Sequence, residues 1–190
     1  MELSSQEKKH LLRLARFSIE TGFRPELEPV ISSKEYPILK SKSGAFVTLT
    51  INHKLRGCIG YIQTDDELSK TVMNAAYQAA FSDPRFTPLK EDEYDKIKLE
   101  ISILSPPFPL ENYEEIVLGK HGLIFEESGR KALLLPQVPI EHKFSRDQFL
   151  SALCRKAGLS EEYWKEKKLN LKAFTANVFS ENEKKLKWKK

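Results

Sequence analysis

A short polar turn between two β-rich runs is the feature that most narrows the folds open to this chain. The first run is Ala45–Ile51 (AFVTLTI), the second is Arg56–Ile62 (RGCIGYI), and Asn52–Lys54 lies between them. Runs rich in β-branched and aromatic residues on both sides of a turn predict an antiparallel hairpin. The hydrophobic period then changes, and Leu68–Ala79 predicts a helix with a mostly alanine face that can lie close against a sheet.

Capping boxes, in which Ser or Thr is followed three residues later by Glu or Gln, predict where helices begin. The chain has such pairs at Ser4 with Glu7, Thr64 with Glu67, and Ser145 with Gln148. The first pair opens a helix over about residues 5–21, which Gly22 ends. The second opens the alanine-faced helix, which stops at Asp83 because the following Pro84 disfavours helical geometry there.

Four further strands and a proline-rich connection complete the pattern. Lys98–Leu104 (KLEISIL) alternates between polar and apolar residues and predicts a half-buried strand. Ser105–Leu110 (SPPFPL) follows as a hinge or subdomain boundary, because its prolines cannot donate to a β-ladder. Leu123–Glu126 and Ala132–Leu135 predict a second hairpin, and Leu171–Phe179 predicts the last strand.

Hairpins and helices in this order predict an α+β fold rather than the strict alternation of a doubly wound sheet. We expect two closely packed subdomains, each a mainly antiparallel sheet covered by helices, so that each is a two-layer sandwich. With 190 residues, of which 40% are hydrophobic, the chain is long and apolar enough to form such cores.

The formal net charge of +4 is concentrated at the C-terminus. Lys184–Lys190 (KKLKWKK) contains five lysines, so the rest of the chain is close to neutral. One interpretation is a solvated, frayed terminus. The other is contact with nucleic acid or an acidic membrane, in which Trp188 would stack on bases.

The two cysteines, Cys58 and Cys154, lie in segments of different character, one strand-like and one helical. Cys154 stands near Leu150, Leu153 and Ala157 on the helix that Ser145 caps, and this apolar spacing predicts a core residue. No apolar run approaches the ~20 residues that span a bilayer, and the N-terminus has no signal-peptide pattern. We therefore expect a cytoplasmic protein with free thiols and no membrane contact. Metal-ligand spacings and nucleotide-binding loops do not occur in the sequence, so we expect no metal and no cofactor.

The segment around Cys58 is the first candidate site. Alternate residues of a strand share a face, so Arg56 and Cys58 are predicted to project together while Leu55 and Gly57 face the other way. A guanidinium beside a thiol favours the nucleophilic thiolate. Gly57 and Gly60 remove side chains on either side, which admits a ligand or another backbone. The alternative is that both glycines serve close packing and that Cys58 is a small buried hydrophobe.

Other polar residues extend this candidate site. Glu100 is predicted to face the same side as Cys58 if its strand pairs beside the cysteine strand, and a structural ion pair is the alternative. Asp83 and Arg85 stand on a corner that Pro84 fixes, and a simple helix stop explains them equally well. His121 lies on a glycine-flanked loop and can reach a cleft.

These segments together resemble the AMMECR family. The matching motifs, in the family's order, are GAFVTL (Gly44–Leu49), LRGCIGY (Leu55–Tyr61), AAFSDPRFTPL (Ala79–Leu89), LEISILSPP (Leu99–Pro107), GKHGL (Gly119–Leu123), LLLPQV (Leu133–Val138) and FLSALCRKAGL (Phe149–Leu159). The resemblance extends over about residues 8–181, and LRGCIG with DPRF downstream is quite specific. The chain departs from the family after Glu141, where HKFS stands in place of a frequent aromatic such as Trp.

The resemblance implies a single domain over about residues 1–181 with a basic tail at 182–190. It implies a larger, discontinuous subdomain (about 1–56 and 111–181) and a smaller one (about 57–110), with a groove near LRGCIG. Relatives are often encoded beside Memo-like and radical-SAM proteins, which makes those proteins expected partners. No biochemical activity is established for the family.

The family pattern marks twelve positions of this chain: Arg56, Gly57, Cys58, Gly60, Asp83, Pro84, Arg85, Glu100, Gly122, Pro136, Gln137 and Glu141. So many polar positions exceed what packing alone requires, which favours a site around Arg56 and Cys58.

Three functional hypotheses follow. The first is an enzyme or enzyme component acting on a small anionic molecule, with Cys58 as nucleophile or acyl carrier and Glu100 or His121 moving protons. Its substrate-binding residues are Arg56, Gly57, Gly60, Asp83, Arg85 and Gln137. The second is a non-catalytic adaptor that docks a Memo-like or radical-SAM protein. The third is nucleic-acid association in transcription or translation through the lysine tail, against which the near-neutral body argues.

Overall fold

The computed structural model describes residues 3–27, 36–127 and 129–181. The predicted basic tail, 182–190, lies outside these residues. The chain has the predicted α+β fold, with two four-stranded sheets. It divides into two compact units: the first runs up to Leu104 and takes in the chain again from Asn177, and the second is Ser105–Ala176.

The helices of the described residues are α1 (Ser5–Glu20), α2 (Leu68–Phe81), α3 (Glu91–Tyr94), α4 (Val138–Glu141), α5 (Arg146–Lys156) and α6 (Tyr163–Glu166), with 3₁₀ turns at Pro37–Lys40 and Tyr113–Glu115. The strands are β1 (Ala45–Ile51), β2 (Lys54–Tyr61), β3 (Lys98–Leu104), β4 (Phe108–Pro109), β5 (Gly122–Glu127), β6 (Arg130–Leu134), β7 (Leu171–Phe174) and β8 (Ala176–Ser180).

The sheet of the first unit has the strand order β2-β1-β3-β8, so β2 is an edge strand. One face carries fully buried residues such as Val47, Leu49 and Ile101, which pack in one core with α1 and α2. The alanine face of α2 allows a close approach, since the Cβ of a residue other than glycine at position 57 would lie 2.0 Å from the Ala79 carbonyl oxygen. The other face of the sheet carries the polar residues of the candidate site.

Residue Arg16 of α1 joins the end of the described chain to the first unit. Its Nε and Nη2 donate to the two carboxylate oxygens of Glu181 at 2.7 Å each, and its Nη1 and Nη2 also donate to the carbonyls of Tyr94 and Ile97. The Leu99 N–H donates to Glu181 as well. This largely buried pair therefore fixes the segment that follows β8.

The second unit has the strand order β4-β7-β5-β6. Its core joins α5 to the sheet through buried side chains such as Phe149, Leu123 and Leu171. Cys154 belongs to this core with 1% of its surface exposed, as its position on a capped helix indicated. Burial raises the pKa of its thiol, so it is a structural rather than a reactive cysteine.

Two of the three predicted capping boxes are present. Ser4 accepts from the Glu7 N–H while Glu7 accepts from the Ser4 N–H, and Ser145 and Gln148 repeat the arrangement. The prediction at Thr64 is wrong, because its hydroxyl accepts from the Asp66 N–H and α2 begins only at Leu68. The side chain thus caps a local turn rather than the helix.

The strand and unit boundaries differ from the predictions in two places. The predicted last strand is two strands, β7 and β8, which belong to different sheets and are separated by Thr175. The predicted subdomain boundary between residues 56 and 57 would fall inside β2, which pairs with β1 on both sides of Arg56. The residues before and after this boundary therefore belong to one unit. The boundary expected at Ser105–Leu110 does coincide with the end of the first unit at Leu104.

Candidate functional site

A bulge in β2 places Arg56 differently from the prediction. Leu49 of β1 faces Gly57 and Thr50 faces Leu55, so Arg56 has no Cα partner on β1. The extra residue shifts the alternation, and Leu55 rather than Arg56 shares a face with Cys58 beyond the bulge. The expected arrangement of Arg56 and Cys58 on one regular strand face is therefore wrong.

The guanidinium of Arg56 is engaged by the segment that precedes β3. Its Nε and Nη2 donate to both carboxylate oxygens of Glu93 at 2.9 and 2.8 Å, and further N–H groups donate to the carbonyls of Thr87 and Pro88. The hydrogen bonds from Arg56 lower the pKa of Glu93 to about 2, against the opposing effect of burial. With 14% of its side chain exposed, Arg56 serves the fold of this region.

Asp83 and Arg85 cover the open edge of β2 at Cys58. The Cys58 N–H donates to Asp83 Oδ2 at 2.8 Å, and Arg85 Nη2 donates to the Cys58 carbonyl at 3.0 Å. An edge strand presents unpaired backbone groups of this kind, and side chains often cover them. The DPRF segment therefore holds the main chain of Cys58 in place from the side opposite β1.

Asp83 and Arg85 also bind each other. Arg85 Nε and Nη2 donate to the two carboxylate oxygens of Asp83 at 2.9 and 2.7 Å. These bonds, with help from the N–H groups of Cys58 and Arg85, hold the pKa of Asp83 well below its usual range although burial opposes them. The pKa of Arg85 is raised, chiefly by its hydrogen bond to Asp83, although burial opposes the shift. The Asp83 side chain is 2% exposed and that of Arg85 is 54% exposed, so the pair joins a buried anion to an accessible cation.

A row of polar side chains crosses the sheet at the level of Cys58. Thr48 of β1 faces Cys58 on one side and Glu100 of β3 on the other. Because the backbone groups of Cys58 point away from β1, Thr48 and Cys58 form a pair whose side chains are close. The Thr48 hydroxyl accordingly donates to Cys58 Sγ at 3.3 Å. The strand of Glu100 does not pair beside the cysteine strand, as the prediction supposed, because β1 lies between them. Glu100 still shares a face with Cys58, with the two backbones about 10 Å apart.

The protein itself fills the space at both predicted site glycines. A Cβ at Gly57 would meet the Ala79 carbonyl at 2.0 Å, and one at Gly60 would lie 2.4 Å from both the Ala45 carbonyl oxygen and the Phe46 ring. These distances support the packing alternative for both residues. Neither position provides an opening for a ligand.

Comparison with known families decides where this chain belongs. The AMMECR1 family model matches residues 12–179. The chain belongs to the AMMECR1 family. The match confirms the resemblance that LRGCIG and the other segments indicated, and it covers both units.

Relatives of this AMMECR1 chain occur in bacteria and archaea. A protein of Aquifex aeolicus is 40% identical over 183 residues, covering 92% of this chain and 93% of the relative. A protein of Methanopyrus kandleri is 38% identical over 195 residues, covering 96% and 92%. The crystal structure of an uncharacterized protein from Pyrococcus horikoshii matches with a TM-score of 0.84 and 37% identity, covering 91% of this chain and 90% of that one. The α+β fold is thus shared with a solved structure.

Two predicted site residues of the AMMECR1 chain belong to the second unit. His121 precedes β5, is 9% exposed, and accepts a hydrogen bond from the Val117 N–H at its Nδ1. Burial, with the charge of Lys120, lowers the pKa of His121. Gln137 precedes α4, and its buried Oε1 has no hydrogen-bond partner among the described residues.

The described residues show two further general features of the AMMECR1 chain. Across residues 3–27, 36–127 and 129–181, no three His, Cys, Asp or Glu side chains come together in a way that could hold a metal ion. In that same part of the chain, every helix is too short or too polar to cross a bilayer.

Sequence reasoning missed Thr48 and Glu93. Thr48 alternates with the buried Val47 and Leu49, a pattern that places it on the polar face, but only the strand register reveals its contact with Cys58. Glu93 is one of several acidic residues in a polar segment, EDEYD, and nothing local marks it as the partner of Arg56.

Proposed function

We propose that this AMMECR1-family chain is an enzyme, or a component of one, that acts on a small anionic substrate with Cys58 as its nucleophile. The observation that carries the proposal is the Arg85 side chain, which is 54% exposed and donates from its guanidinium to the Cys58 carbonyl at 3.0 Å. A cation next to a partly exposed cysteine is the surrounding that reactive cysteines have.

Anion binding falls to Arg85 rather than to Arg56 in this proposal. The N–H groups of Arg56 serve Glu93 and two carbonyls, and little of the side chain is exposed. Arg85 has one edge on Asp83 while more than half of its side chain is accessible. A carboxylate or phosphate group of a substrate can therefore contact Arg85 without displacing a buried partner.

The reaction class that fits is acyl transfer to the thiol. The Cys58 thiolate attacks the acyl carbon, a C–S bond forms, and the bond to the leaving group breaks, with the leaving group taking the electron pair. Water or a second nucleophile then cleaves the thioester and restores the thiol. The Thr48 hydroxyl donates to the sulfur at 3.3 Å and helps to hold the Cys58 side chain in place.

Proton transfer is assigned to Glu100. Glu100 stands in register with Cys58 across β1, on the same face of the sheet, where it can exchange a proton with a molecule bound beside the thiol. His121 and Gln137 belong to the second unit and stay predicted site residues there; the buried Oε1 of Gln137 has no hydrogen-bond partner among the described residues.

The test is covalent trapping on the intact chain. We would incubate it with a panel of anionic acyl phosphates and acyl thioesters and locate mass adducts by peptide mass spectrometry. The proposal predicts an adduct on Cys58 that hydroxylamine removes, and no adduct on Cys154. In Cys58→Ser, position 58 should carry no adduct that hydroxylamine can remove. Absence of any Cys58 adduct across the panel, or equal labelling of Cys154, would overturn the nucleophile role.

A second candidate is a non-catalytic adaptor for a Memo-like or radical-SAM protein. One large apolar side chain of β2, Leu55, is 44% exposed on the sheet face that also carries Cys58, which favours a docking surface there. An adaptor predicts that Leu55→Asp abolishes co-purification with the partner while Cys58→Ala retains it. Retained binding in Leu55→Asp, or no binding by the wild-type chain at micromolar concentration, would count against it.

A further inference from the structure

Asp83 gathers its hydrogen bonds from two residues of the proposed site. Oδ2 accepts from the Cys58 N–H at 2.8 Å and from Arg85 Nη2 at 2.7 Å, and Oδ1 accepts from Arg85 Nε at 2.9 Å and from the Arg85 N–H at 3.1 Å. The residue is 4% exposed. Its carboxylate therefore faces the protein on both oxygens and offers little surface to a substrate.

The backbone around Asp83 is fixed as well. Pro84 has a locked φ, and the Phe86 N–H donates to the Asp83 carbonyl at 3.0 Å, closing a turn over residues 83–86. Leu89 returns to α2 through a bond from its N–H to the Ala80 carbonyl. The turn fixes the position of the Arg85 backbone, and the bidentate pair with Asp83 fixes the plane of the Arg85 guanidinium.

We infer that Asp83 is a positioning residue, whose buried carboxylate holds the Arg85 guanidinium against Cys58 and so gives the site its preference for anions. The inference rests on the proposed function, because it explains how Arg85 comes to meet an anionic substrate at the nucleophile. A long side chain that is ordered before the substrate arrives loses less conformational entropy on binding.

Positioning and bare charge make opposite predictions for the loss of the Asp83 carboxylate. The negative charge of Asp83 offsets the positive charge of Arg85 at long range. If Asp83 acts only through its charge, Asp83→Asn makes the surroundings of Cys58 more positive and raises the preference of the site for anions. A role in positioning means that Asp83→Asn releases the guanidinium and lowers that preference. The sign of the change therefore separates the two roles.

Two alkylating reagents read the preference directly. Iodoacetate is anionic and iodoacetamide is neutral, and both react with the same thiolate, so the ratio of their rates at Cys58 does not depend on how much thiolate is present. We expect this ratio to be about fivefold higher in the wild-type chain than in Arg85→Ala, the factor for one charge pair at about 4 Å in water. Cys154, far less exposed, provides an internal check that each variant stays folded.

The decisive comparison uses Asp83→Asn, Arg85→Ala and the double variant at low salt. We expect the ratio in Asp83→Asn to fall to within twofold of that in Arg85→Ala, and the double variant to match Arg85→Ala, because Asp83 acts through Arg85. A ratio in Asp83→Asn equal to or above the wild-type value overturns the inference, and so does a further fall in the double variant.

Arg85→Lys keeps the inference testable if Asp83→Asn does not fold. Lysine retains the positive charge but cannot form the two-pronged pair, so positioning predicts a lowered ratio and an unchanged ratio contradicts it. The outcome is independent of the acyl-trapping experiment. If the ratio depends on Asp83 but no acyl adduct forms on Cys58, the proposed function is refuted and the inference about Asp83 stands. If the adduct forms but the ratio does not depend on Asp83, the inference is refuted and the proposed function stands.

Discussion

Replacing Gly57 with alanine tests whether this glycine serves packing or a ligand. The added methyl group would lie 2.0 Å from the Ala79 carbonyl oxygen and 3.0 Å from its carbon. Non-bonded heavy atoms prefer roughly 3.5 Å, so β2 and α2 would have to separate by roughly 1.5 Å. The obstacle is the backbone of a helix whose alanine face belongs to the core, so no side-chain rotation relieves it.

Overpacking of this kind lowers the free energy of unfolding by about 1–3 kcal/mol. Because the contact is with backbone, we expect Gly57→Ala to cost about 3 kcal/mol. For a chain of this size we expect the melting temperature to fall by about 6–12 °C. Thermal and urea unfolding of the two proteins measure the change. Gly129→Ala is the matched control, since no atom of the described chain lies within 4 Å of its Cβ and only the positive φ of 75° opposes the substitution.

The control should lose roughly 1 kcal/mol through backbone strain alone. A Gly57→Ala chain as stable as the wild type, or no less stable than the Gly129→Ala control, would refute the packing argument. It would mean that the space at Gly57 is open, as a ligand-admitting strand requires.

Three further predictions concern the charged groups. The pKa of Glu93 is about 2 in the folded chain and ordinarily about 4.3, so its pair with Arg56 contributes stability above about pH 4 that is lost as the pH falls towards 2. Glu93→Gln should therefore show a shallower fall of the urea midpoint between pH 5 and pH 2.5, and an identical slope would contradict the pairing. Arg16→Ala breaks a largely buried pair with Glu181, so we expect a loss of about 3 kcal/mol in urea unfolding, and a loss under about 1 kcal/mol would count against the role of this pair. If the lysine tail binds nucleic acid, deleting residues 184–190 should abolish an affinity that falls steeply with salt; binding that survives the deletion refutes this role.

Local signals predicted the features that depend on neighbouring residues. The capping boxes at Ser4 and Ser145, the hairpin of β1 and β2, and the end of the first unit before the prolines all follow from residues close in sequence. Their chemistry is decided within one or two turns of chain, so pattern alone was enough. Cys154 was likewise placed in a core by the apolar spacing of its helix.

Features that depend on distant residues were not predictable in this way. Alternation along β2 could not reveal the bulge at Arg56, because a bulge is defined by the partner strand. Strand β1 lies between β2 and β3, and the chain passes from one sheet to the other at Thr175. Both features depend on how strands distant in sequence pair with one another. Thr64 matches a capping pattern, yet its hydroxyl closes a local turn with the Asp66 N–H. A short polar side chain can cap a helix or close such a turn, and the pattern does not distinguish the two.

The candidate site combines both kinds of feature. Cys58, Asp83 and Arg85 were identified from the sequence, whereas the bonds that join them run from a loop to the edge of a sheet and depend on the tertiary structure. The same structure binds Arg56 to Glu93, a partner 37 positions away.

The rate of Cys58 alkylation by iodoacetate at pH 7 tests the central claim most directly. It is measured by peptide mass spectrometry on the intact chain, with Cys154 and an unstructured cysteine peptide in the same tube. A nucleophile beside the accessible guanidinium of Arg85 should react faster than the peptide, while Cys154 stays unmodified. If Cys58 reacts no faster than the peptide, or if Arg85→Ala leaves its rate unchanged, Cys58 is not the nucleophile of an anion-binding site.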